Sequence, residues 1–165
     1  MLEYDWENSV GHWVCATSHA MRRALSDCLT DEGMTFRQWE VLAWLSVKGG
    51  MSQAELSDCL GIEPHTVTGV LRRMERDGWL ERRCCETDRR KNQIFPTEKS
   101  EAVWSRAVAC CHRVRDQAVQ GISAEELVQF KKTCETIRSN LVKEDASDVE
   151  LTVQIEDEPV DATPA

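Results

Sequence analysis

Hydrophobic residues recur at helical spacing along the first half of the chain, and glycines mark the places where this spacing is interrupted. The first periodic segment runs from about Glu7 to Leu29, and Gly33 follows it as a stop signal. Its apolar side chains return every three or four residues and therefore share one face of a predicted helix. They are Val10, Trp13, Val14, Met21, Ala24 and Cys28.

Three start signals predict three further helices before residue 78. Thr35 with Gln38, and Ser52 with Glu55, have the spacing of a capping box, in which side chains pair with free N–H groups of the first turn. Pro64 suits the first turn of the next helix because its fixed φ angle is helical. The expected ends are Lys48, Leu60 and Gly78. The stripe expected to be buried in the helix from Pro64 consists of Val67, Val70, Leu71 and Met74.

After residue 78 the pattern changes from helical to strand-like. Residues 79–83 and 93–95 are short β-strand candidates, and the segment CCETDRRKN between them is predicted to be their turn. Pro96 is expected to end the second strand because it cannot donate a ladder hydrogen bond. Two more helices are then predicted, over residues 97–121 and from the capping residue Ser123 onward. This order predicts a mainly α-helical domain with a small β-hairpin.

The formal net charge of the 165-residue chain is −9, but its acidic residues are unevenly distributed. Residues 144–165 contain eight acids and no lysine or arginine, so residues 1–143 sum to only −1. Basic residues cluster between Arg72 and Lys91. We therefore expect one domain over residues 1–143, followed by an acidic, disordered tail. The local basic patch is compatible with binding DNA.

Eight cysteines are present, but their spacing is not that of a zinc framework, and the chain begins without the pattern of a secretory signal. No apolar run approaches the roughly 20 residues that a membrane span needs. The expected location is therefore the cytoplasm, where most thiols stay reduced. The patterns of paired acid and base, nucleophile elbow, phosphate loop and dinucleotide-binding glycines are missing, so we expect no enzyme and no bound cofactor or metal.

A short capped helix, a tight turn at Gly61, a second helix and a basic hairpin together predict a winged helix-turn-helix, flanked by further helices. Such a unit places its second helix in the major groove of DNA. Ser52 and Gln53, where the first of the two helices begins, are expected to face a phosphate. The candidate contacts on the second helix, with base edges expected near its start and phosphates later, are His65, Thr66, Thr68, Arg72 and Arg73.

The tip of the hairpin carries three consecutive cationic residues, Arg89, Arg90 and Lys91. The minor groove has a negative potential that attracts arginine, so we expect the tip to insert there with Arg90 leading. Asp88 can orient the Arg90 guanidinium through a bidentate ion pair. The wing is therefore predicted to be a second DNA contact.

Several stretches of the sequence resemble the MarR family of bacterial regulators, over nearly everything but the tail. They are GMTFRQWEVL, MSQAELSDCLGIEPHTVTGVLRRMERDGWLERR, the D-x-R wing from Asp88 to Arg90, and PTEKS. The stretch from the wing to the following helix is similar to the SlyA-like branch in particular. The sequence departs from the family pattern at Gly69, where many members carry an arginine, at Pro96, where leucine is common, and in its longer tail.

The resemblance implies a transcriptional repressor that acts as a homodimer on a pseudo-palindromic operator in double-stranded DNA. It assigns residues 1–33 and 97–143 to dimerisation helices and residues 35–96 to a DNA-binding lobe. It also implies release from DNA by a small aromatic acid, an oxidant or a metal. The alternative from another class is a winged-helix interaction module that does not bind DNA, which steep salt-dependent binding to duplex DNA would exclude.

The residues themselves leave the effector open. His12, Cys15 and His19 share one side of the first helix, which suits a metal or a reactive thiol but equally suits packing in an interface. Cys85 lies near several arginines in sequence, which favours oxidation of its thiol. The alternative is that Cys85 is an ordinary, partly buried residue of the strand. The chain is thus also compatible with a thiol-based or metal-sensing regulator of this fold.

Tryptophans suggest a further effector site. Trp39, together with Trp13, Trp44 and Trp104, can line a pocket for an aromatic ligand between the first, second and fifth helices. Large aromatic side chains fill ordinary cores at least as often, so core packing is the competing interpretation.

Overall fold

Six helices and three short strands make up the described residues, 4–84 and 92–141, of the computed structural model of this protein. The elements are α1 (Val10–Asp31), α2 (Phe36–Lys48), β1 (Met51–Ser52), α3 (Gln53–Leu60), α4 (Pro64–Arg76), β2 (Leu80–Cys84), β3 (Asn92–Pro96), α5 (Glu98–Ala118) and α6 (Ala124–Leu141). The predicted mainly helical class with a β-hairpin is confirmed. Among these helices, none is long and apolar enough to cross a membrane. The wing tip and the acidic tail lie outside the described residues.

The local capping signals determine where most helices begin. The boxes of Thr35 with Gln38 and of Ser52 with Glu55 are both formed, and Pro64 is the first residue of α4. The predicted start of the first helix near Glu7 was wrong, because the Ser9 side chain accepts a hydrogen bond from the His12 N–H and caps a helix that begins at Val10. The long fifth helix ends at Ala118, three residues before the predicted stop.

The sheet contains a strand that the sequence pattern did not indicate. The order is β1-β3-β2, and both pairings with β3 are antiparallel. In β1, Met51 pairs with Ile94, and Ser52 leads directly into α3. The strand β2 has the predicted length but begins one residue later than predicted, and β3 is two residues longer and includes Pro96 as its last residue. Because β1 and α3 are continuous, the sheet fixes the start of α3 relative to the base of the wing.

One apolar core joins α2, α3, α4, the sheet and one side of α5 to the end of α1. The stripe predicted for α4 is fully confirmed, since all four of its residues are buried. The other large, fully buried side chains include Leu29, Val41, Leu45, Leu56 and Ile94. The helices α3 and α4 are therefore packed against the body through α2.

Two helical surfaces carry apolar side chains that no other part of the described chain covers. Every residue from Gly11 to Ala20 in α1 is exposed, and α6 has no buried residue. The predicted stripe of the first helix is thus exposed over most of its length, and only its end reaches the core, through Leu25, Cys28 and Leu29. The exposed large apolar side chains on the two helices are Val10, Trp13, Val14, Met21, Val128, Phe130 and Leu141.

Gly50 lies where the chain passes closest to the sheet. A Cβ atom at this position would lie 2.2 Å from Cζ of Phe95, far inside van der Waals contact. The Phe95 ring also stacks under the Arg83 guanidinium, 4.7 Å from its centroid, so it cannot swing away without losing that contact. We expect Gly50→Ala to lower the free energy of unfolding by about 1 to 3 kcal/mol, as overpacked sites do.

The matched control is Gly69→Ala in the interior of α4, where a Cβ atom would meet nothing within 4 Å. This change should raise the free energy of unfolding by about 0.5 to 1 kcal/mol, because glycine is a poor helix former. Urea denaturation followed by circular dichroism measures both variants. Equal stability of Gly50→Ala and the wild type would show that the ring does not pack against Gly50.

Candidate nucleic-acid interface

The outward side of α4 presents polar and cationic side chains in the order that the sequence predicts. His65 and Thr66 in the first turn are exposed, and Arg72 and Arg73 further along are exposed as well. The buried stripe of α4 packs on α2 and α3, which leaves this side free. A helix with one apolar and one cationic face suits insertion into a groove lined by phosphates.

Two arginines on this surface keep their charge uncompensated. Within residues 4–84 and 92–141, neither Arg72 nor Arg73 makes an ion pair, whereas Arg76 pairs with Asp77 at 3.1 Å between Nε and Oδ1. A guanidinium without a carboxylate partner can contact a phosphate without first breaking an internal bond. Arg72 and Arg73 are therefore better placed than Arg76 for an anionic ligand.

A hydrogen-bonded bridge joins the starts of α3 and α4. Nε2 of Gln53 donates to Oγ1 of Thr68 at 2.8 Å, and that hydroxyl donates in turn to the carbonyl of Pro64 at 2.8 Å. Thr68 therefore has only acceptor capacity left for a base, while Thr66 is exposed and its hydroxyl makes no hydrogen bond with the described residues. The sequence missed this bridge because no local spacing connects side chains of different helices.

The predicted capping box at the start of α3 is formed and brings a carboxylate to that helix start. Oγ of Ser52 accepts from the N–H of Glu55, and the N–H of Ser52 donates to the Glu55 carboxylate at 2.7 Å. By helix geometry, the N–H groups of Gln53 and Ala54 keep no intrahelical partner. These two groups are what the helix start offers a phosphate, next to the negative charge of Glu55.

The base of the wing neutralises its own arginines. Arg82 pairs with Glu75 of α4, and Arg83 pairs with Glu81 within β2. The positive charge that was predicted to favour oxidation of Cys85 is thus partly neutralised by these carboxylates. The predicted wing residues that lie outside the described residues are Cys85, Asp88, Arg89, Arg90 and Lys91.

The predicted trio on α1 is on the surface. His12, Cys15 and His19 are all exposed, and the described part of the chain contains no group of three or more residues that could hold a metal ion. The His12 ring packs edge-on against Trp6, with the centroids 5.5 Å apart. The three side chains share a helix face, as predicted, but the fold brings no fourth metal ligand to them within those residues.

A pocket of about 570 Å³ opens between α2, α3 and α5. Trp39, Trp44 and Trp104 line it as predicted, together with Cys59, Cys111, His112 and Arg115. The expectation for Trp13 was wrong, because that side chain is half exposed on the free part of α1 and its indole donates to the carbonyl of Glu7. The predicted place between the first, second and fifth helices is therefore corrected to α2, α3 and α5.

Polar groups around this pocket are unevenly satisfied. The indole nitrogen of Trp39 is buried and has no hydrogen-bond partner of ordinary geometry among the described residues. Burial raises the pKa of the Cys111 thiol, and the Trp39 indole opposes this with a smaller effect. Arg115 pairs with Asp116 at 3.1 Å at the exposed side. The pocket thus combines three indole rings, an indole N–H without a partner among the described residues, and at its edge an arginine that is already paired with Asp116.

Comparison with known proteins places these features in a common fold. Residues 32–91 match the MarR family. A mutant of MarR from E. coli, solved in complex with operator DNA, gives a TM-score of 0.69 at 19% identity over 78% of this chain and 92% of that one. BpsR from Bordetella bronchiseptica, solved for the regulation of its DNA binding by 6-hydroxynicotinic acid, gives 0.70 at 21% identity over 83% and 98%. The transcriptional regulator PA3341 gives 0.72 at 28% identity over 81% and 98%.

Proposed function

We propose that this chain, which has the winged-helix fold of the MarR-type regulators, is a sequence-specific DNA-binding transcriptional regulator. The observation that carries the proposal is the outward face of α4, where Arg72 and Arg73 are exposed and unpaired within the described residues. The Gln53–Thr68 bridge holds this helix in fixed orientation to α3. A protein of the same fold has been solved with operator DNA, which supports the same use here.

In the proposed complex, α4 lies in a major groove. His65 and Thr66 face base edges near its start, where a threonine hydroxyl can donate or accept and its methyl can meet a thymine methyl. Arg72 and Arg73 contact phosphates and set the register. Arg90, at the tip of the wing, enters the flanking minor groove. The function is thus binding and regulation, with no catalytic step.

The active species is proposed to be a homodimer. The apolar side chains that α1 and α6 leave exposed would be covered by the same helices of a second copy, as isologous interfaces require. Such a dimer presents two α4 helices and therefore favours a pseudo-palindromic operator. Repression, rather than activation, and placement in the SlyA-like branch are predictions from the sequence resemblance.

The pocket between α2, α3 and α5 is the proposed effector site. Its three indole rings can stack on an aromatic ring, and His112 and Arg115 can meet a carboxylate. BpsR, a protein of the same fold, is regulated by 6-hydroxynicotinic acid, an aromatic acid. Because the pocket joins the body to α3, a ligand that prefers one arrangement of the two would shift DNA affinity.

Selection from a random duplex library tests the DNA proposal. Purified protein should enrich duplexes that share a pseudo-palindromic motif, and a phenolic acid such as 4-hydroxybenzoate should lower the amount retained. Single-stranded oligonucleotides of the same composition are the control. Recovery of duplexes without any shared motif would contradict sequence-specific binding, and retention that the acid leaves unchanged would contradict only the effector assignment.

A further inference from the structure

Two cysteines from different helices meet at one guanidinium. Nη2 of Arg113 lies 3.0 Å from Sγ of Cys28 in α1 and 3.2 Å from Sγ of Cys110 in α5. Because both sulfurs contact the same nitrogen, they can be no more than about 6.2 Å apart. Cys28 is also near enough to act on the Cys110 thiol, since it is the largest cause after burial of the raised pKa of Cys110.

The two thiols differ in their surroundings. Cys110 is fully buried, and burial, followed by the hydrogen bond with Cys28, raises its pKa to about 12, so it stays protonated. Cys28 is only partly buried and is reachable from solvent. Arg113 is exposed and also pairs with Glu32 at 3.4 Å. Cys28 is thus an accessible sulfur in contact with a cation, which is the kind of setting in which reactive cysteines occur.

We propose that Cys28 and Cys110 form a redox dithiol that a hydroperoxide converts into an intramolecular disulfide between α1 and α5. Cys28 is the attacking sulfur because it is accessible and contacts Arg113. Cys110 is the resolving thiol because it is the buried partner within reach. Formation of this disulfide does not depend on the proposed function; only its effect on DNA affinity rests on it.

The reaction is balanced in two steps. The Cys28 sulfur attacks the terminal oxygen of the hydroperoxide, the O–O bond breaks, and the thiol proton leaves with the alkoxide as an alcohol, giving a sulfenic acid. The Cys110 sulfur then attacks the Cys28 sulfur and expels hydroxide, which takes up the Cys110 proton and leaves as water. The two thiols lose two electrons together, and the hydroperoxide accepts them. A thiol reductant reverses the change.

Closing this bond must rearrange the junction of α1 and α5. A disulfide holds its sulfurs about 2.05 Å apart, closer than two separate thiols can approach, so the side chains or the helices must shift toward each other. Arg113 contacts both sulfurs and pairs with Glu32, which also pairs with Arg106 at 3.4 Å, so these side chains would adjust with them. The neighbouring Leu29 lies in the core shared with the DNA-binding lobe. We expect the change to alter the spacing of the two α4 helices in a dimer.

Neighbouring cysteines offer the competing pairings. Cys111 is adjacent to Cys110 but lines the pocket on another side of α5, and Arg113 makes no hydrogen bond to it. Cys15 lies on the exposed part of α1, where a second copy could bring two of them together. The experiment therefore has to distinguish an intramolecular bond to Cys110 from one to Cys111 and from a bond between chains.

The test treats full-length protein with a small excess of cumene hydroperoxide and maps disulfides by mass spectrometry under non-reducing conditions. Tryptic peptide 24–37 contains Cys28 alone, while peptide 107–113 contains both Cys110 and Cys111. We expect these two peptides to be linked in the wild type, in Cys111→Ser and in Cys15→Ser. The link should be lost in Cys110→Ser, where Cys28 instead accumulates a sulfenic acid that dimedone traps.

The proposal would be overturned if the link were lost in Cys111→Ser but kept in Cys110→Ser. It would also be overturned if Cys28 remained a free thiol after other cysteines had oxidised. Duplex affinity, measured before and after oxidation, gives an independent readout. We expect at least a fivefold change in the wild type, restored by dithiothreitol and absent in Cys28→Ser. If the disulfide formed but DNA affinity did not change, the regulatory effect would be overturned. If the reduced protein did not bind duplex at all, the proposed function would be overturned instead.

Discussion

A protein with glutamate in place of Phe130 is expected to be monomeric in solution and to bind operator duplex on the order of a hundredfold or more weakly. Phe130 lies on α6 with 61% of its surface exposed in the single chain. In a symmetric dimer the substitution places a charge in the interface twice, and each desolvated, unpaired carboxylate costs several kcal/mol. Losing the second subunit also removes the avidity of two linked recognition helices, which reaches a hundredfold to ten-thousandfold.

Val47→Glu is the matched control. Val47 is an exposed apolar residue of α2, 41% accessible, and lies outside both proposed dimerisation helices. Sedimentation velocity should show dimers for the wild type and for Val47→Glu, and monomers for Phe130→Glu. A dimeric Phe130→Glu protein would remove α6 from the interface, and a monomeric wild type would contradict the homodimer itself.

The second large effect is expected on the recognition helix. Replacing Arg72 and Arg73 together by alanine removes two uncompensated cations from each subunit, four from a dimer. Each phosphate contact contributes roughly 1 kcal/mol near physiological salt, so duplex affinity should fall on the order of a hundredfold to a thousandfold. The fold should be unaffected because both side chains point away from the core.

Lys131→Ala with Lys132→Ala is the control pair, because it removes the same charge from two adjacent exposed residues of α6. Fluorescence anisotropy with a labelled duplex should show near wild-type affinity for this pair, with sedimentation velocity confirming that it is still dimeric, because α6 also carries Phe130. If both double variants lost the same affinity, the effect would come from net charge and not from the face of α4.

Local signals in the sequence predicted the recognition unit well. The capping box at Ser52, Pro64 at the start of α4 and the apolar stripe through Val67 and Met74 all depend on residues within one or two helical turns. Their structural outcome is therefore fixed by neighbours along the chain. The start of α1 was predicted near Glu7 because the helical spacing extends that far, whereas the Ser9 side chain caps the helix and Val10 is its first residue.

Features that depend on distant residues were not visible in the sequence. The strand β1 has only two residues, too few for an alternating pattern, and exists because it pairs with β3 about forty residues later. The Gln53–Thr68 bridge and the meeting of Cys28 with Cys110 likewise require the packed helices. Arg113 offered no sequence signal, since its position relative to Cys28 is set by the packing of α1 on α5.

The error about Trp13 has a different physical cause. Helical spacing correctly placed it on the apolar face of α1, but spacing does not say what covers that face. Among the described residues of the single chain nothing covers it, so the side chain is exposed and the pocket forms with α3 instead. Apolar periodicity therefore predicts a buried face without distinguishing a core from an interface between chains.

The central claim is that the two α4 helices and wings of a dimer bind one DNA site. The salt dependence of duplex binding tests this claim most directly. If the six arginines of a dimer, Arg72, Arg73 and Arg90 of each subunit, together neutralise six phosphate charges, the slope of log affinity against log salt should be roughly −5. In the Arg72→Ala, Arg73→Ala protein its magnitude should fall by about 3 to 4. A nearly flat dependence in the wild type, or a slope that the two substitutions leave unchanged, would contradict the account.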